Sequence, residues 1–174
     1  MSLAVVGYPQ LAEEDAEWIR SIRTQHEQLS HGALDPHFTL VFPQSIVTES
    51  QLAEHVRKQL AGCHAIQFVL RSSILIKDDS SDSYFVLLVP DEGFGSIVRL
   101  HDKLYTGILA PALRLDIPFI PHITVGYSPD AQAYKMLVDI LNQVEFAIRG
   151  EVSGLDIIRK DVDKVWTIEH FHFG

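Results

Sequence analysis

The chain has 174 residues, of which 47% are hydrophobic, and its 14 Lys and Arg against 23 Asp and Glu give a formal net charge of −9. This composition excludes a disordered chain, and the acidic balance argues against broad binding of extended nucleic acid, which needs many cationic side chains. A single cysteine, Cys63, excludes an internal disulfide framework.

The apolar pattern alternates between periods of 2 and of 3.6 residues, which is typical of a protein that mixes strands and helices. In the first half it predicts, in chain order, a strand over 3–8, a helix over 11–29, a strand over 37–42, a helix over 48–60, and strands over 66–77 and 84–89. Thr48, with Gln51 three residues later, has the pattern of a capping box. The polar turn between the last two strands predicts a hairpin.

The second half repeats this order of elements. The pattern predicts a helix over 93–109, an extended segment over 118–121, a strand over 122–127, a helix over 131–141, and closing strands over 146–160 and 165–173. We find no linker composition and therefore predict one domain, 1–174, made of two lobes on one plan. The chain opens without a secretory signal pattern and has no apolar run near the ~20 residues of a membrane helix, so we expect a cytoplasmic protein.

A seven-residue pattern occurs twice, and it is the most specific feature of the sequence. Residues 36–42 read Pro-His-Phe-Thr-Leu-Val-Phe, and residues 121–127 read Pro-His-Ile-Thr-Val-Gly-Tyr. The two histidines, His37 and His122, are 122 − 37 = 85 residues apart, which is close to half of the chain. This spacing indicates a duplicated or pseudo-twofold architecture.

The spacing within each motif has a physical meaning. In a strand, side chains two residues apart share a face, so His37 lies beside Thr39 and His122 beside Thr124. By strict alternation the intervening apolar residues, and also Phe42 and Tyr127, are expected on the core side. Two imidazoles and two hydroxyls that converge on one cleft suit a phosphodiester, because one imidazole accepts a proton, the other donates one, and the hydroxyls bind phosphate oxygens.

These motifs resemble those of the 2H phosphoesterase superfamily, which includes 2′-5′ RNA ligases and cyclic phosphodiesterases. The resemblance implies an α+β fold in which two mostly antiparallel sheets line a concave cleft, with helices on the outer faces. It implies that His37 and His122 are the acid–base pair and that Thr39 and Thr124 hold the phosphate. Gly126 departs from the first motif, where Val41 stands, and is expected to leave the cleft face of its strand bare.

Other residues give weaker signals. His170 and His172 share a strand face and suggest a two-ligand metal site, but a catalytic zinc usually has three protein ligands, so we expect an exposed or cleft-rim strand and no metal. Four basic residues on strands are expected at solvated positions or at the cleft rim: Arg71, Lys77, Arg159 and Lys160.

The sequence therefore predicts a metal-independent and cofactor-free phosphoesterase that acts on a cyclic or 2′-linked nucleotide phosphodiester or on an RNA end. Two alternatives remain open: a 2′-5′ RNA ligase or RNA 3′-end processing enzyme, and a non-catalytic module that binds nucleotides in the same cleft. We expect no membrane partner and no extended nucleic-acid surface, and we take a monomer as the default.

Overall fold

A computed structural model describes residues 1–26, 34–161 and 164–174. Within these ranges the chain forms nine strands and four α-helices. The strands are β1 Ser2–Gly7, β2 Gln10–Leu11, β3 Phe38–Gln44, β4 Ile66–Lys77, β5 Tyr84–Glu92, β6 Ile123–Ser128, β7 Ile148–Val152, β8 Gly154–Lys160 and β9 Val165–His172. The helices are α1 Glu13–His26, α2 Glu49–Leu60, α3 Phe94–Leu104 and α4 Ala131–Gln143, and a 3-10 helix covers Gly107–Ala112. The predicted end of the first helix, 27–29, lies outside the described residues.

The strands form two antiparallel sheets. Sheet I has the order β3–β1–β8–β9, and sheet II has the order β2–β7–β4–β5–β6. The unit β1–α1–β3–α2 recurs as β5–α3–β6–α4, and in both units the two strands are neighbours in one sheet. Each motif strand, β3 or β6, lies at the edge of its sheet. The α+β class with two antiparallel sheets is thus confirmed.

The helix ends follow local chemistry. Thr48 caps α2 and forms the predicted capping box with Gln51. The predicted helix over 93–109 is shorter in the structure, since α3 ends at Leu104 and a separate 3-10 helix follows. Gly93 precedes α3 with φ 81°, a left-handed conformation that favours glycine. No helix among the described residues is long and apolar enough to cross a membrane.

The prediction of one strand over 146–160 is wrong. The segment contains two strands, β7 in sheet II and β8 in sheet I, and the chain passes from one sheet to the other at Ser153. Two hydrogen bonds hold this crossing: Gln10 donates to the Ser153 hydroxyl at 2.8 Å, and the amide of Phe173 donates to the Ser153 carbonyl at 2.8 Å. The first and last strands of the chain therefore share sheet I.

One hydrophobic core extends beneath both sheets. Phe38 of sheet I meets Phe68 of sheet II edge-to-face, with ring centroids 5.0 Å apart, and both side chains are almost fully buried. Helices α1 and α3 each pack against the motif strand of the other half of the chain: α1 contacts β6, and α3 contacts β3. Each motif strand is therefore supported by the helix that precedes the other motif strand.

Strand β3 carries a β-bulge directly after its threonine. Val6 of β1 lies opposite Thr39, but the next residue back along β1, Val5, lies opposite Val41. Leu40 is thus an extra residue with no partner of its own on β1. The bulge places Leu40 and Val41 next to each other in the core, where both are buried.

Strand β6 has the same irregularity at the same place. Leu87 of β5 lies opposite Thr124, and Val86 lies opposite Gly126, so Val125 is the extra residue. Val125 and Gly126 are both buried. The two motif strands therefore share a backbone feature that their sequences do not show.

The matched bulges correct the predicted position of Phe42 and Tyr127. In both segments, 36–42 and 121–127, buried and half-buried residues alternate until two buried residues follow each other. These two are Leu40 and Val41 in the first segment and Val125 and Gly126 in the second. The extra residue of the bulge shifts the alternation of side chains between the two sheet faces by one position. Phe42 and Tyr127 are therefore half-buried and lie on the same face as the histidine and threonine of their motif. They do not point into the core, as strict alternation predicts.

The expectation for Gly126 is also wrong. A Cβ atom built on Gly126 would lie 2.8 Å from Cε1 of Tyr134, on helix α4, and 3.4 Å from the Cβ of Val86. Gly126 therefore faces the core and the outer helix, not the face of the motif side chains. Its role is to admit the Tyr134 ring against the strand.

This contact generates a stability prediction. Gly126→Ala places a methyl group against the Tyr134 ring, and the overpacking is expected to lower the unfolding free energy by about 1–3 kcal/mol in denaturant titrations. The control is Gly95→Ala on α3, where the new Cβ meets only the flexible Arg99 side chain, at 3.3 Å. A helical Gly→Ala change there should leave stability equal or higher. If both variants were equally stable, the proximity of Gly126 to Tyr134 would be disproved.

Candidate functional site

The side chains of each motif lie on the sheet face opposite the core, here called the motif face. On sheet I, His37 and Thr39 are half-buried, whereas the intervening Phe38 is buried in the core. The strand pairing extends this face across the sheet. Thr39 on β3 lies opposite Val6 on β1, and Val6 lies opposite Asp156 on β8. The motif face of sheet I therefore begins with the motif at its edge and continues over β1 and β8.

The motif face of sheet II is more apolar. His122 and Thr124 are half-buried there, and Thr124 lies opposite Leu87, which is not part of the main core. The ring of Tyr127 packs on Phe85 with centroids 4.6 Å apart. The threonine hydroxyl thus stands beside an apolar and aromatic surface.

Both motif histidines make the same local hydrogen bond. Nδ1 of His37 donates to the carbonyl of Asp35 at 2.8 Å, and Nδ1 of His122 donates to the carbonyl of Ile120 at 2.6 Å. A carbonyl only accepts, so each ring carries its proton on Nδ1. In the neutral ring Nε2 is then the nitrogen with the lone pair that can accept a proton.

The proline of each motif explains why this bond recurs. Pro36 and Pro121 stand between the accepting residue and the histidine, and a residue that precedes proline is restricted to extended conformations. The Pro-His pair is therefore a local device that fixes the ring orientation and the tautomer.

Burial affects the basicity of the His122 ring. The desolvation of His122 lowers its pKa, and the bond to the Ile120 carbonyl opposes this shift without reversing it. His122 is therefore neutral at neutral pH, with an unprotonated Nε2. Such a ring is suited to accept a proton.

Sequence reasoning missed a polar row on the motif face of sheet I. Tyr8 lies edge-on to His37 with ring centroids 6.0 Å apart, and burial, reinforced by Asp156, raises the pKa of Tyr8 to about 12. Asp156 accepts a hydrogen bond from Nδ1 of His170, whose Nε2 lies 3.3 Å from Nδ1 of His172. The pairing of β1 with β8 and of β8 with β9 creates this row, and sequence spacing gives no signal of it.

His170 and His172 are exposed, as predicted for a surface strand. The described residues contain no group of three or more His, Cys, Asp or Glu side chains that could hold a metal ion. Asp156 acts instead as the hydrogen-bond partner of His170.

Most of the basic residues expected on strand surfaces are paired with carboxylates. Arg71 binds Asp91 at 2.7 Å and Glu92 at 2.5 Å, and Nε of Arg159 donates to Glu49 at 2.7 Å. Lys77 pairs with Asp82 at 3.4 Å, and Lys160 is half-buried at the end of β8. Three of the four basic residues that the sequence singled out are therefore neutralised by carboxylates.

Sequence comparison gives one family. The profile of the 2′-5′ RNA ligase superfamily matches residues 11–164, which include both motifs. A search of curated proteins finds no significant match.

Solved structures share the fold at low identity. TT0787 of Thermus thermophilus is 17% identical with a TM-score of 0.59, and the alignment covers 99% of this chain and 98% of that one. LigT of E. coli in its apo form is 15% identical with a TM-score of 0.57, over 99% and 96% of the two chains. Usb1 of Kluyveromyces marxianus is 13% identical with a TM-score of 0.53, over 95% and 96%.

The lowered pKa of His122 predicts a pH dependence of stability. The unfolded chain takes up the proton near the ordinary histidine pKa of about 6.5, before the folded protein does, so the unfolding free energy falls as the pH drops below about 6.5. The loss is at most about 1.4 kcal/mol per pH unit for one histidine. Chemical denaturation between pH 5 and 8 should show it, since Asp78, with a pKa lowered to about 2, affects stability only at more acidic pH.

The matched variants are His122→Gln and His64→Gln. The glutamine at 122 removes the titrating group, so the variant should lose part of the pH dependence between pH 5 and 7. His64 is exposed, and its replacement should leave the profile of the wild type. Equal profiles for the wild type and His122→Gln would show that His122 does not contribute.

Proposed function

The chain belongs to the 2′-5′ RNA ligase superfamily, and from this premise we propose that it is a metal-independent phosphoesterase that hydrolyses a cyclic or 2′-linked nucleotide phosphodiester. The observation that carries the proposal is the matched Nδ1 hydrogen bond of His37 and His122, because it gives both rings the same tautomer and dedicates both Nε2 atoms to proton transfer. The proposal takes the protein as a cytoplasmic monomer that acts without a cofactor.

The proposed reaction needs one proton acceptor and one proton donor. Nε2 of neutral His122 takes a proton from water, and the water oxygen forms a bond to phosphorus. The bond from phosphorus to one ribose oxygen breaks, and protonated His37 gives its Nε2 proton to that oxygen. The product is a phosphomonoester with a free hydroxyl, and the two histidines end with exchanged protonation states. The lowered pKa of His122 supports the assignment of His122 as the base.

The threonines are proposed to bind the non-bridging oxygens of the phosphate. Thr39 and Thr124 are half-buried on the motif faces, two residues from their histidines, and their hydroxyls can donate where negative charge develops. The proposed substrate carries little charge, as a single cyclic phosphate does. The net charge of −9 supports the same choice over long RNA.

The substrate class is proposed to be a small nucleotide or the end of an RNA. Structures of E. coli LigT, which shares the fold, contain NADP+, ATP or 3′-AMP. In this chain the ring of Tyr127, packed on Phe85 and turned to the motif face by the bulge, offers a surface for a base. The family match favours reversible 2′-5′ ligation as the second candidate function.

Replacement of either histidine tests the proposal. His37→Ala and His122→Ala should each lower kcat on a 2′,3′-cyclic mononucleotide by about 10²–10⁴-fold, the usual contribution of a positioned proton-transfer group. The double variant should lose less than the product of the two, since the residues act as a unit. Thr39→Ala or Thr124→Ala should cost less, because water can replace a neutral donor. His64→Ala is the matched surface control.

The same assay separates the alternatives. Formation of a 2′-5′ bond between a cyclic-phosphate end and a 5′-hydroxyl end would favour the ligase. A wild-type protein that binds cyclic nucleotides tightly and leaves them intact from pH 5 to 9 would be a binding module, and the proposed hydrolysis would be refuted.

Chelation gives a separate test. Acid–base histidines with hydroxyl donors need no Lewis acid, so turnover should be unchanged after treatment with EDTA and after addition of Zn²⁺ or Mn²⁺ to the treated protein. Activity that disappears with EDTA and returns with one metal would contradict the metal-independent mechanism.

A further inference from the structure

The segment that leads into His122 is irregular and is held to the body of the protein by side chains, among them Leu113 and Phe119, which pack against the core, and Arg114, which pairs with Asp79. Residues 113–122 form neither helix nor strand. Its best-defined anchor is an aromatic stack, in which the Phe119 ring lies on the His101 ring with centroids 3.7 Å apart and planes 10° apart. His101 belongs to helix α3 and is only 3% exposed.

Two further contacts hold the imidazole of His101 in place. Nδ1 of His101 donates to Asp102 at 3.0 Å, and the Tyr105 ring packs at 4.7 Å. Burial lowers the pKa of His101, so the ring is held neutral beside Phe119. A cavity of about 160 Å³ adjoins the stack, lined by Phe42, Leu113, Ile117 and Phe119 among others. Loss of the stack would give the segment room to shift.

The first motif has a related anchor at the equivalent place. Phe119 and Leu34 each stand three residues before their motif histidine, since 122 − 119 and 37 − 34 both equal 3. The carbonyl of Leu34 accepts a hydrogen bond at 2.8 Å from Arg23, which is 8% exposed on helix α1. In both halves a buried ionisable side chain of the preceding helix therefore holds the approach to the histidine.

We propose that His101 is a positioning residue for His122. Its stack on Phe119 fixes the backbone one residue before Ile120, and the Ile120 carbonyl sets the tautomer and orientation of the His122 ring. The inference rests on the proposed function for its effect on turnover, whereas its effect on the His122 ring does not depend on any activity.

The variants separate the stack from general stability. His101→Ala removes the stack, and kcat should fall about 10- to 100-fold with little change in KM, since displacement of a catalytic group by about 1 Å costs rates of this order. His101→Phe keeps a flat ring on Phe119 and should restore kcat to within about threefold. Phe119→Leu removes the other ring of the same stack, so its kcat should fall by about as much as that of His101→Ala.

His55→Gln is the matched control for burial. His55 is another buried helix histidine, and its Nε2 donates to the Leu104 carbonyl at the end of α3. This variant should lose stability and keep kcat. If His55→Gln lowered kcat as much as His101→Ala, or if folded His101→Ala kept the wild-type kcat, the positioning role would be disproved.

Imidazole NMR distinguishes this failure from that of the proposed function. The ¹⁵N shifts of the His122 ring should change in His101→Ala and Phe119→Leu and stay unchanged in His101→Phe and His55→Gln. A wild type without turnover on any phosphodiester, but with this pattern of shifts, would refute the enzyme and retain the positioning role. Unchanged His122 shifts in all four variants would overturn the positioning role itself.

Discussion

One hydrogen bond occurs twice, from Nδ1 of each motif histidine to the carbonyl two residues earlier, and the proposed chemistry depends on the tautomer that it fixes. An imidazole has two nitrogens of similar basicity, and without such a bond either one can carry the proton. The proline between acceptor and histidine restricts the backbone so that the bond forms locally. Because the bond is local, it depends on the short motif itself and not on contacts with distant parts of the chain.

The motif side chains were predictable from the sequence because a strand has a fixed period of two. That rule places His37 with Thr39, and His122 with Thr124, without knowledge of any partner strand. The same rule fails beyond the threonines, because each strand contains a bulge that exists only in its pairing with a neighbour. Phe42, Tyr127 and Gly126 all lie after the bulge, and all three were assigned to the wrong face.

Long-range pairing explains the remaining differences. The segment 146–160 is apolar enough for one strand, but its two parts pair with different sheets, and the crossing at Ser153 is held by contacts with distant segments. Asp156 and His170 meet because β8 pairs with β9. The His101–Phe119 stack joins a helix residue to a residue of an irregular segment, so the apolar periodicity of the sequence does not predict it. The apolar periods predicted most elements and the fold class, whereas the surroundings of the motifs came only from the structure.

The arrangement of helices gives the two motifs a common frame. Since α1 packs on β6 and α3 packs on β3, each motif strand is in contact with a helix of the other half. The central claim is that both motif histidines, in their neutral form, are protonated at Nδ1 and unprotonated at Nε2. Long-range ¹H–¹⁵N correlation spectra of the imidazole rings, recorded at a pH where both are neutral, test it most directly. We expect the Nδ1–H tautomer for His37 and for His122, and an Nε2–H tautomer at either position would show that the bond to the preceding carbonyl does not form there.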